Sequence, residues 1–104
     1  MPDSAKVVIN LATGLEDAER VSVAFLVGDA AVEQGRKVAM FLTKEAVRLG
    51  LPGYADGGGE LLVCPICFSA RKLDEGSLVA NARLAGATPL WEWIGDEHAT
   101  VFSY

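Results

Sequence analysis

Short β-branched runs alternate along this chain with stretches of helical periodicity, and no two runs are joined by a two-residue hairpin turn. Strands without hairpins pair through crossovers, so the pattern predicts a largely parallel sheet with helices on both faces, an α/β fold. Lys6 to Ala12, closed by Thr13-Gly14, reads as the first strand. From Leu15 to Gln34 the apolar positions Val21, Ala24, Phe25, Gly28, Ala31 and Val32 recur at helical spacing. Glu16, Asp17 and Glu19 suit the positive end of that helix, and Gly35 is placed to stop it. Lys37 to Leu42 is a second buried strand, after which Thr43 is expected to cap a short helix through Leu49, ending at Gly50.

Leu51 to Gly59, with Pro52, Gly53 and Gly57-Gly58-Gly59, reads as a loop; lacking a following Lys-Ser/Thr, the triplet is not a phosphate-binding loop. Glu60 to Cys64 is the third strand, followed by a helix that starts near Cys67 or Phe68 and runs to about Leu73. Ala80 to Leu84 reads as a short fourth strand. Thr88-Pro89 is expected to open the last helix, Leu90 to Ile94, as N-cap and first helical residue, and Thr100 to Tyr104 to form the final strand.

A length of 104 residues fits one domain, 1–104. The 51% hydrophobic share is high for so small a chain and points to apolar surface buried between subunits. A formal net charge of −5 argues against nucleic-acid and anionic-membrane binding, which need basic surfaces. No run approaches the ~20 apolar residues of a spanning helix. The amino terminus has no charged segment leading into an apolar one, so a soluble, cytoplasmic protein is expected.

The two cysteines stand together in Cys64-Pro65-Ile66-Cys67, directly after Leu61-Leu62-Val63. A strand ending at Val63 and feeding a helix puts Cys64 at the carboxyl edge of the sheet, where helix N–H groups favour a thiolate. Arg71 and Lys72 are close enough in sequence to add positive potential. Ligands of parallel sheets bind beyond the carboxyl ends of the strands, so Thr13, Gly14, Thr43 and Lys44 should converge with Cys64. Such a pair reads as redox, metal or sulfur-transfer chemistry, against the alternative of two small buried hydrophobes. Two cysteines and the distant His98 fall short of four zinc ligands, and no cofactor is implied. His98 reads as a surface loop residue. Trp91 and Trp93, two apart on a helix, face different sides, which makes one of them a candidate interface anchor.

With these residues in place, the chain resembles the DsrE/DsrF-like family, the DsrEFH superfamily, which includes sulfur-relay subunits. The likeness rests on Lys6 to Gln34, on Val38-Ala39-Met40-Phe41-Leu42-Thr43 leading into Lys44-Glu45-Ala46-Val47, on Cys64-x-x-Cys67-x3-Arg71, and on Val101-Phe102. It implies a three-layer α/β/α sandwich with a mainly parallel five-stranded sheet and assembly into homotrimers or hexamers. It also implies a cysteine, by position Cys64, that takes persulfide sulfur from a donor protein and hands it to an acceptor, with Cys67 as the second cysteine and Arg71 beside them. Members of that family commonly carry Arg-Gly after the cysteine segment, where this chain has Arg71-Lys72, a difference at the helix end. The function expected is a sulfur carrier or sulfurtransferase. The alternatives are an oligomeric scaffold or small-molecule-binding protein, or a C-x-x-C redox protein. The redox reading ranks lower, because proline follows the first cysteine here, whereas thioredoxin-like sites have it before the second.

Overall fold

A computed structural model describes residues 6–54 and 59–104 of the chain. Five parallel strands, β1 (Lys6–Leu11), β2 (Lys37–Leu42), β3 (Glu60–Val63), β4 (Ala82–Leu84) and β5 (Ala99–Ser103), form one sheet in the order β4-β3-β2-β1-β5. Three α-helices connect them, α1 (Ala18–Glu33), α2 (Pro65–Ala70) and α3 (Ala87–Ile94), and a 3-10 helix, Lys44–Gly50, joins β2 to β3. Crossovers between parallel strands are right-handed. The steps from β1 to β4 move one way across the sheet and place α1, Lys44–Gly50 and α2 on one face. The return from β4 to β5 reverses direction and places α3 on the other.

Strand alternation follows from that layering. Val7, Ile9 and Leu11 of β1, Met40 and Leu42 of β2, and Leu61 and Val63 of β3 point to the first face, where Val21, Ala24, Val47, Leu49 and Phe68 close over them. Burying each of the larger of these side chains is worth about 1.5–3 kcal/mol, which makes this layer the main source of stability. The second face is thinner. Ala39 and Leu62, with Ala85, pack against Phe41, Leu90 and Trp93, while Val101 of β5 stays 58% exposed. An eight-residue helix covers the centre of this face and does not reach the β5 edge, so the expected cover on both faces is complete only over part of the sheet.

Several local expectations change. Residues 15–17 form a 3-10 turn, and α1 starts at Ala18 with Asp17 as its cap, its carboxylate accepting from Arg20 N at 3.1 Å. Val32, grouped with the buried face of this helix in the sequence, is half exposed. Thr43 makes no side-chain cap bond; Lys44 follows with φ 52°, so the segment is entered through a sharp left-handed turn and coils as 3-10. Thr88 is not a cap, because Gly86 holds that position and Pro89 lies within the first turn, where its missing N–H costs nothing. The helix after the cysteines begins at Pro65, two to three residues earlier than the periodicity suggests, since proline is pre-set for the first helical position. Of the glycine-rich loop, residues 55–58 lie outside the described residues.

The end of α2 bears on the Arg71-Lys72 difference. Lys72 N donates to Ser69 O at 3.0 Å and Leu73 N to Phe68 O at 3.4 Å, the paired bonds of a Schellman motif, with Lys72 at φ 56°. Lysine occupies the left-handed position that glycine would take, so the helix ends in the same way.

Candidate functional site

The β2–β3 ladder continues one residue past β3. Cys64 N donates to Leu42 O at 2.9 Å, which ties its backbone to the sheet edge, and Cys64 O accepts from Phe68 N at 3.0 Å, the first helical bond of α2. Cys64 is therefore the N-cap and Cys67 the third helical residue. Residues three apart at a helix start lie on one side. The Cys64 side chain accordingly lies on the Cys67 side and helps to lower that thiol. Both thiols are free and partly exposed, and Ile66 between them is 81% exposed.

Across from α2 stands the turn that opens the Lys44–Gly50 helix. The backbone N–H of Lys44 favours the ionised form of the Cys67 thiol. A non-glycine residue at positive φ costs on the order of 1–3 kcal/mol and persists only where its surroundings over-determine it. Here Thr43 N donates to Leu11 O and Ala46 N to Thr43 O, both at 3.0 Å, on either side of it. Gly14 presses from behind: a Cβ at that position would lie 2.5 Å from Glu45 O and 2.7 Å from Glu45 C. Gly14 itself has φ −112°, so space and not conformational freedom requires glycine there.

Glu45 carries the site's charge arrangement. One carboxylate oxygen accepts from Arg71 Nε at 2.6 Å and the other from Arg48 Nε at 2.8 Å. Arg71 turns back on its own helix, donating through Nη1 to Cys67 O at 3.1 Å. The hydrogen bond from Arg71, then that from Arg48, holds the Glu45 carboxyl below the usual carboxylate range. The Cys67 thiol is likewise lowered from its ordinary value. The Lys44 N–H contributes most, the Cys64 side chain adds to it, and the charges of Arg71 and Lys44 contribute further, against the opposing effect of burial.

Of the residues singled out in the sequence, Gly14, Lys44, Cys64, Cys67 and Arg71 come together. Gly14 acts as a spacer against the Glu45 backbone, and Lys44 contributes its N–H. Thr13 follows β1 on the same edge, and Thr43 takes part through its backbone. The groups that favour a thiolate surround Cys67, while the positional likeness pointed to Cys64. Glu45 is the residue that sequence reasoning passed over. Its signal was present as a Glu–Arg pair three apart, Glu45 and Arg48, directly after a lysine at a strand's carboxyl end. His98 is exposed in the turn before β5.

No protein-family model matches the chain, and no curated protein matches it. Among solved structures, the crystal structure of the YchN protein from E. coli is similar, with a TM-score of 0.73 and 19% sequence identity over 95% of this chain and 99% of that one. At that identity the likeness speaks for architecture: this chain has the DsrE-like α/β fold.

Proposed function

We propose that the protein is a small sulfur carrier in which Cys67 is the attacking thiolate and Cys64 its partner thiol. The observation that carries this reading is the placement of two free thiols three residues apart at the start of α2, with Arg71 Nη1 3.1 Å from Cys67 O and tied to Glu45; the lowered Cys67 thiol agrees with it. A thiolate is the form that attacks sulfur. In the capture step the Cys67 sulfur attacks the outer sulfur of a donor persulfide, R–S–SH. The new S–S bond forms as the donor's S–S bond breaks, R–S⁻ leaves with the electron pair, and the product is Cys67–S–SH. Delivery is the reverse exchange on an acceptor thiolate, with Cys67 as the leaving group, and a lowered thiol pKa speeds departure. The same lowering of the Cys67 thiol thus serves both halves of the cycle, and neither half needs an outside oxidant.

Partner proteins and homo-oligomers belong to this proposal too. Ile66, between the two thiols, is a ready contact for a donor or acceptor protein, and exposed Leu26, Trp91 and Val101 supply apolar surface for assembly of copies. Intact-protein mass spectrometry after incubation with a small persulfide tests the proposal. Wild type and Cys64→Ser should gain one sulfur mass and Cys67→Ser should not. A gain of sulfur in none of the three, with both thiols accessible to alkylation, would remove the carrier reading. A loss of two hydrogens in wild type instead would mark a dithiol–disulfide couple.

A further inference from the structure

We infer that the Lys44–Glu45 turn is a positioning device for the helix segment that carries Cys67, braced from behind by Gly14 and held in front by Arg71, so that Gly14 and Glu45 govern the surroundings of the sulfur without touching it. This rests on the reading of Cys67 as the reactive thiolate.

Two independent contacts define the device. The first is steric. Gly14 leaves no room for a Cβ against Glu45 O and C, and the Glu45 backbone continues directly from Lys44 at φ 52°. Any side chain at position 14 must displace this contact between residue 14 and the turn. The second is electrostatic. Glu45 Oε2 holds Arg71 Nε at 2.6 Å, and the same guanidinium holds Cys67 O at 3.1 Å, so the carboxylate fixes the helix segment that carries the thiol to the Lys44–Glu45 turn. Lys44 tolerates its left-handed backbone because both restraints act on it.

The groups facing the sulfur are the Lys44 N–H and ammonium charge, the Cys64 thiol and the Arg71 guanidinium, with Glu45 and Arg48 behind Arg71. A simple charge effect and a positioning effect therefore have opposite signs at Glu45. Removing a nearby negative charge by itself favours the Cys67 thiolate. Loosening the turn and Arg71 disfavours it.

The test measures the pH profile of alkylation by iodoacetamide in a Cys64→Ser background, where position 64 keeps a hydroxyl donor and Cys67 is the remaining thiol. Gly14→Ala and Glu45→Gln are compared within it, with circular dichroism to confirm folding. The midpoint should move upward in both variants. On the rising limb, the thiolate population should fall on the order of fivefold, the equivalent of one weakened hydrogen bond. A downward or unchanged midpoint in folded Glu45→Gln would overturn the device, and that variant decides the matter if Gly14→Ala fails to fold. A background midpoint already in the ordinary thiol range would instead overturn the thiolate reading itself, which separates the two failures.

Discussion

Arg71 Nε lies 2.6 Å from Glu45 Oε2, an ion pair that spans 26 residues of sequence and joins α2 to the helix after β2. Because Arg48 holds the other carboxylate oxygen, Glu45 is the hinge point of the cluster, and its carboxyl is lowered by both. A carboxyl lowered by folding contributes stability that is present above its ordinary range and lost as pH falls through the lowered folded value. The melting temperature of wild type should exceed that of Glu45→Gln near neutral pH, and the gap should close in acid. A gap that is constant down the acid range would mean that the pair contributes nothing specific.

The Cys67 thiol obeys the same sign rule in a higher range. Its interactions stabilise the fold fully above the unfolded thiol's pKa and progressively less as pH falls through the lowered folded value. The stability of wild type relative to Cys67→Ser should therefore grow as pH is raised from neutral into the alkaline range, measured by denaturant titration. A difference independent of pH would contradict the stabilised thiolate.

Lys72 stands in the left-handed position of the α2 Schellman motif. Glycine is free of the steric penalty there, which is about 1–2 kcal/mol for other residues, although it gives back part through unfolded-state entropy. Lys72→Gly should stabilise the protein by about 0.5–1 kcal/mol in urea titration and leave the alkylation profile of Cys67 unchanged. Destabilisation would contradict the assignment of the helix end.

Lys6 closes the far end of α3. Its ammonium, on a side chain only 12% exposed, donates to Trp93 O and to Ile94 O at 3.1 Å, pairs with Glu97 at 3.3 Å, and lies 5.1 Å from the centre of the Trp93 ring. Charged donors to helix carbonyls are worth about 1.5–3 kcal/mol. Lys6→Met should cost on the order of 2 kcal/mol and raise amide exchange throughout α3. Unchanged exchange in α3 would show that the helix is held by Leu90 and Trp93 alone.

The parallel sheet was legible because β1, β2 and β3 are short, strongly apolar runs separated by helical spacing or glycine, and such patterns survive any detail of packing. Helix ends were less legible. Pro65 belongs as naturally to a turn as to a helix start, so the spacing places the start of α2 nearer Phe68 than it lies. Thr43 does stand at the N-cap of the Lys44–Gly50 helix, without a side-chain bond, whereas Thr88 falls inside the first turn of α3, behind the cap at Gly86. The left-handed turn at Lys44 has no sequence signature, since lysine seldom adopts it; it arises from the fit of Gly14 against Glu45, a contact between residues 31 positions apart. The Glu45–Arg71 pair was hidden for the same reason, because a glutamate near two basic residues usually marks a solvated face.

The most direct measurement is competitive labelling of the native protein at neutral pH with less than one equivalent of iodoacetamide, followed by peptide mapping of the carbamidomethylated cysteine. Cys67 should take most of the label and Cys64 little, with the preference lost on unfolding. Equal labelling, or a preference for Cys64, would contradict a thiolate held at Cys67.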